Sequence, residues 1–154
     1  SIPAPAIRLL GVMNPACMVA AVLAAARRQQ QGPLKEVAVQ YLCLIYSEES
    51  RWPTLPKPEY DRVLGEYHAY TDDVRRSGRL LGGNPLEPTT AATTVRVRNG
   101  RISTTDGPFA ETKEQLGGYY LLEAMDLNEA IQLAARIPGA KYGCIEVRPV
   151  MEMK

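Results

Sequence analysis

The chain alternates between short continuous apolar runs and segments whose apolar residues recur every three or four positions, and this alternation sets the elements. Val39 to Tyr46 is a nearly unbroken apolar and aromatic run, the pattern of a strand covered on both faces. Ser47 to Pro58 breaks it with Pro53, Pro56 and Pro58 and carries Trp52 as a rim or interface residue. From Pro58 to Ser77 the spacing of Tyr60, Val63, Leu64, Tyr67, Thr71 and Val74 predicts a helix, with Gly78 as its C-terminal cap. Short strands follow at 79–84 and 93–99, and Asn99-Gly100 makes a tight hairpin turn into a further strand at 101–104. A strand is expected over 118–124, and Asp126 with Glu129 reads as a capping box. That box opens a helix through Ile137 with Leu127, Ala130, Ile131 and Ala134 as its buried stripe. Pro138-Gly139 ends the helix, and Tyr142 to Val150 is the last strand.

That order of elements is an α+β fold. Period-2 alternation puts Gly143, Ile145 and Val147 on one face of the last strand and Tyr142, Cys144, Glu146 and Arg148 on the other. If both helices pack on the first face, the second is too apolar to be left in water. A second subunit is therefore expected to cover it and to enclose a cavity where a ligand would sit.

The fourteen residues Thr105 to Gly118 are the most unusual stretch. Asp106-Gly107-Pro108 is a turn in which the carboxylate is expected to accept backbone N–H bonds, and Phe109, the only Phe, to anchor the loop. Thr112 with Gln115 reads as a weak capping box for a helical turn that Gly117-Gly118 would end. Together with Ala91-Ala92-Thr93-Thr94-Val95-Arg96-Val97-Arg98 and Cys144-Ile145-Glu146-Val147-Arg148-Pro149-Val150, this stretch resembles the DGPF branch of the YCII-related family. The motifs stand in the same order from Val39 to Val150, about three quarters of the chain. The resemblance implies a ferredoxin-like antiparallel sheet with two main helices on one face, dimerising through its sheets into an α/β barrel. It implies no single established reaction.

Composition narrows the functional classes. Eighteen basic against seventeen acidic residues, with no Lys/Arg run longer than two, argue against direct nucleic-acid binding. Three cysteines without metal-ligand spacing and a single histidine argue against a metal site, and Cys43 and Cys144 are expected to be small buried hydrophobes in a reducing, cytoplasmic protein. No phosphate-cradling glycine loop or dinucleotide fingerprint is present, and no cofactor is expected.

Residues 1–38 are read as an extension to a domain spanning 39–154. Leu9 to Ala26 is apolar, but it is short, Ala-dominated and contains Pro15, which argues against a membrane span. An export signal would have only Arg8 as its leading charge, with Ala24-Ala25-Ala26 for cleavage. A helix from Asn14 to Gln30, capped by Asn14 with Pro15 at its first position, fits local rules best. Val39 is then expected to mark the original start of the domain.

The candidate chemistry rests on few residues. His68 is the natural group for proton transfer, with Asp72 one turn later on the same helix. The resemblance implies that catalytic members use a His on this helix and an Asp after the following strand. Counted back from Gly78-Arg79-Leu80-Leu81, that His falls at Tyr67, and Pro85 to Thr94 contains no Asp. One residue turns a helical side chain by about 100°, so His68 is equally a solvated helix residue. Asp106 is a turn former or an acid–base group, with Glu111 and Lys113 beside it at the cavity rim. Arg96, Arg98 and Arg148 would hold a carboxylate or phosphate, Tyr119 or Tyr120 would supply a hydroxyl, and Glu146 would pair with Arg148 or face the ligand. Two classes follow. One is a cofactor-free lyase or isomerase moving protons on a small anionic or aromatic compound in a homodimer pocket. The other is a non-catalytic regulatory module, since proteins resembling this one are associated with extracytoplasmic-function sigma factors.

Overall fold

The computed structural model describes residues 38–153. The helix expected over Asn14–Gln30, and the rest of the proposed extension up to residue 37, lie outside the described residues. Strand β1 (Val39–Ser47) leads through a 3-10 helix (Glu49–Thr54) into helix α1 (Lys57–Arg76). Strands β2 (Leu80–Pro85), β3 (Thr93–Arg98), β4 (Arg101–Asp106) and β5 (Gln115–Ala124) follow, then helix α2 (Leu127–Ala135), a 3-10 turn (Pro138–Lys141) and strand β6 (Gly143–Pro149). Four strands form one sheet in the order β2-β5-β1-β6, with every neighbouring pair antiparallel. This is the ferredoxin-like arrangement: two β-α-β units interleaved, with the β3–β4 hairpin inserted as a separate two-stranded sheet. Among the described residues no helix is long and apolar enough to cross a membrane.

The local signals hold at the ends of elements. Gly78 has φ 72°, its N–H donates to the Arg75 carbonyl, and the Arg79 N–H donates to the Val74 carbonyl. This Schellman pair closes α1. Asp126 accepts from the Glu129 N–H at 2.8 Å, while the Glu129 carboxylate accepts from the Met125 N–H and from Arg79, 2.6 Å away across the sheet edge. Asn99 and Gly100, at φ 51° and 74°, make the hairpin turn with both central residues left-handed.

The core lies between one sheet face and the two helices. Tyr41, Cys43 and Ile45 of β1 and Tyr120, Leu122 and Ala124 of β5 point into it, against Val63, Tyr70 and Val74 of α1 and Ala130, Leu133 and Ala134 of α2. Its polar atoms are satisfied. The Tyr70 hydroxyl donates to the Leu133 carbonyl, Tyr120 shares a 2.7 Å hydrogen bond with Thr71, and the Tyr70 and Tyr120 rings meet edge to face.

Several expectations need correction. Tyr60 and Leu64 are exposed, because the buried stripe of α1 is Val63, Tyr67, Tyr70 and Val74, a narrower line than the one read from spacing. On α2 the buried positions are Ala130, Leu133 and Ala134, whereas Leu127 and Ile131 are exposed. Thr112 and Gln115 make no helical turn. Their side chains bond locally to the Glu114 and Thr112 carbonyls across a bend, and β5 starts three residues earlier than the glycines suggested. Phe109 is 83% exposed and does not anchor the loop among the described residues. Among the described residues the Asp106 carboxylate caps no backbone group; the loop is held instead by the backbone of Gly107, at φ 96°, which donates to the Ala92 carbonyl and accepts from the Thr94 hydroxyl.

Candidate functional site

Among the described residues no helix covers the second face of the main sheet, and pleating decides what it shows. Leu42, Leu44 and Tyr46 of β1 alternate with the core residues and are half-buried. Across the ladder Leu42 stands between Leu121 and Arg148, Leu44 between Tyr119 and Glu146, and Tyr46 between Leu116 and Cys144. The face is therefore leucine-rich in the middle of the sheet and polar along β6.

One irregularity shapes its polar end. The β1–β5 register shifts between Ile45, opposite Gly118, and Tyr46, opposite Leu116, leaving Gly117 as an extra residue. Such a bulge reverses the facing of the residues before it. Without it Leu116 and Glu114 would share the core face with Tyr120 and Leu122; with it they join Tyr46 and Cys144. The bend before β5 is held in place by Gln115, whose Oε1 accepts the Glu49 N–H at 3.0 Å, and Glu49 in turn accepts from the Thr89 N–H at 2.9 Å. Trp52 packs edge to face on Tyr142 and donates its indole N–H to Ser47, fixing the same end of the sheet. Gly143 permits the closure there: a Cβ on it would meet the Tyr46 carbonyl.

The result is an open cleft of about 680 Å³ lined by Tyr46, Thr112, Lys113, Glu114, Cys144 and Glu146. The Cys144 thiol lies 3.7 Å from Glu114 Oε2, to which it donates. Desolvation, together with the negative charges of Glu114 and Glu146, holds its pKa above the usual thiol value. Glu146 is ion-paired with Arg148 along the same strand. Among the described residues Lys113 takes part in no ion pair. No group of three or more His, Cys, Asp or Glu residues among those described is placed to hold a metal ion.

Of the residues singled out from the sequence, Lys113 and Glu146 line this cleft, and Arg148 and Tyr119 share its sheet face. Tyr119 accepts from Asn84 Nδ2 at 3.1 Å. Arg96 and Arg98 lie on the β3–β4 hairpin, outside the cleft, as does Asp106 at the end of β4. His68 is exposed on α1, in the layer on the other side of the sheet, and Asp72 pairs with Arg75 at 2.8 Å. Among the described residues no hydrogen bond joins His68 to Asp72 or to Asp106. Tyr67, where the resemblance placed the family histidine, is turned into the core, and burial raises its pKa to about 12. Cys43 is buried as expected, but Cys144 is exposed because it faces away from the helices.

Glu114, Cys144 and Tyr46 were missed as site residues. The signal for Glu114 was the Gly117-Gly118 pair, which marks a bulge inside a strand as readily as the end of a helix.

The model of the YCII-related domain matches residues 39–154. An uncharacterised protein of Rhizobium meliloti (strain 1021) is 40% identical over 112 residues, which cover 71% of this chain and 90% of that protein.

Proposed function

The chain belongs to the YCII-related family, and from that premise we propose that it binds a small carboxylic acid on the open sheet face, in the cleft of Lys113, Glu114, Cys144 and Glu146, with a second copy of the chain closing over it. The observation that carries the reading is the cleft itself, where the bulge at Gly117 brings Glu114 beside Cys144 and where the Lys113 ammonium has no carboxylate partner among the described residues. Lys113 and the Cys144 thiol offer donors to an anionic group; the carboxylates of Glu114 and Glu146 accept from a hydroxyl or amine on the same molecule. Leu42, Leu44 and Leu121 on the same face suit an apolar body and, being half-buried on a face that no described helix covers, also suit a partner. The exposure of His68, and the place of Asp106 on the hairpin, favour binding over proton transfer between these two groups.

Thermal shift against a panel of hydroxy- and amino-carboxylates tests the reading. A ligand at 100 times its dissociation constant stabilises by about 2.7 kcal/mol, and Lys113→Ala or Glu114→Gln should abolish that shift while leaving the unliganded melting temperature in place. If the panel shifts nothing, or if both variants respond like the wild type, the cleft is not a ligand site; the chain then fits a regulatory module of the sigma-factor-associated kind better.

A further inference from the structure

The β3–β4 hairpin is the least explained part of the molecule. It is a sheet of two strands whose outer edges pair with no other strand among the described residues, and such a ribbon is marginally stable until a further strand or a surface joins it. Its register separates two faces. Arg96, Arg98 and Arg101 belong to one, with Arg98 directly opposite Arg101, a like-charge pair that weakens a ladder. Val95, Val97 and Ile102 belong to the other and are 60%, 56% and 74% exposed. The charges stand apart from the rest of the chain. Among the described residues every arginine and lysine outside the hairpin is ion-paired except Lys113, and none of the hairpin's three arginines is.

The outer edge of β3 shows what the ribbon lacks. The two-residue Asn99-Gly100 turn makes Arg98 and Arg101 a hydrogen-bonded pair, and the alternation that starts there runs on to the Gly107 N–H, which donates to the Ala92 carbonyl. The N–H and C=O groups of Val95 and Val97 therefore face outward, and among the described residues no backbone group bonds to them. The Val97 carbonyl accepts instead from the Arg98 guanidinium at 2.9 Å, where a neighbouring strand would donate. We propose that this edge takes an extended segment of another protein in which acidic and apolar residues alternate. Side chains two apart on a strand repeat at about 7 Å, so two carboxylates of an added strand line up with Arg96 and Arg98, while the apolar residue between them lies beside Val97. Edge, valines and arginines together select this occupant. A phosphate-bearing anion would meet the arginines and leave the edge and the valines bare. A second copy offers the edge strands β2 and β6, of which β2 has no carboxylate and β6 only Glu146, already paired with Arg148.

Fluorescence anisotropy of labelled synthetic peptides with the full chain provides the test. Glu-Val-Glu-Val-Glu should bind at least about tenfold tighter than Lys-Val-Lys-Val-Lys, and Arg96→Glu with Arg98→Glu should reverse that order. A peptide of the same composition with its three glutamates in one block should bind clearly more weakly than the alternating one. If it binds as tightly, charge alone attracts the ligand and the added strand is refuted. Val97→Pro leaves every charge in place and removes one outward N–H, a change an edge strand tolerates, and should weaken the alternating peptide by about tenfold. An N-methylated copy of that peptide, which keeps its charges and lacks ladder donors, should lose binding to the wild type, so the ladder is read even if the proline disturbs the hairpin. Undiminished binding of the N-methylated peptide, or no binding of the alternating peptide by the wild type, overturns the proposal. So does a wild type that self-associates in sedimentation velocity, loses that association in Arg96→Glu/Arg98→Glu and ignores the peptide, because the occupant is then a second copy.

Discussion

The two faces of one sheet are built from the same strands, yet they behave as different materials. On β1, Tyr41, Cys43 and Ile45 are sealed under the helices, while Leu42, Leu44 and Tyr46 between them are only half-buried. The hairpin continues the second condition to its extreme, with valines and isoleucine in water. The difference teaches that apolar content alone does not tell where this chain's core is. What separates the faces, among the described residues, is that α1 and α2 cover the first and no helix covers the second.

Truncating one leucine on each face exposes the contrast at its largest. Leu122, at 0% exposure, faces the helices, and Leu122→Ala should cost about 2–5 kcal/mol because the tightly packed core cannot close over the lost volume. Leu121→Ala, one residue away on the open face, should cost a single chain well under half as much. Chemical denaturation of both variants, at concentrations too low for association, measures the pair. Equal losses would mean that the two faces are equally covered within one chain.

Alkali should find the same boundary. Burial alone pushes the Cys43 thiol up to about 11 and is the main cause that lifts Tyr67 to about 12, with Tyr70 raised further in the same layer. These groups are neutral in the folded core and ionise earlier in the unfolded chain, near 9 for the thiol and near 10 for the phenols. The folded state therefore holds more protons through that window, and stability that is complete below about pH 9 should fall as pH rises toward 12. Cys43→Ala should remove the earliest part of the fall, although it also leaves a small void. Urea titrations at pH 8 and at pH 10.5 give the comparison; a wild-type loss of under about 1 kcal/mol between them would contradict a dry helix-facing layer.

How much of this was legible in the letters follows the same division. The strands, both helices, the Schellman end at Gly78 and the Asn99-Gly100 turn could be read because each depends on residues within a few positions of one another. The covered face of β6 was legible from alternation, since Ile145 and Val147 pack on the core while Cys144, Glu146 and Arg148 face away from it. Glu114 was not legible, because its facing depends on a register shift that appears only when β5 is laid against β1. Phe109 and the stripe positions Leu127 and Ile131 misled for a related reason: apolar character predicts burial, but nothing local says against what.

His68 carries the smallest expected effect and the sharpest test of which layer holds function. It stands on the solvent side of α1, where no described side chain bonds to it, so His68→Ala should change stability by less than about 0.5 kcal/mol. The sheet separates it from the cleft of Lys113 and Glu114, so the response to carboxylates should also match the wild type. Loss of that response with the melting temperature unchanged would place the working group on the helical layer. The contrast between the two faces would then have the wrong sign for function, because the covered side and not the open one would be the side that meets the ligand.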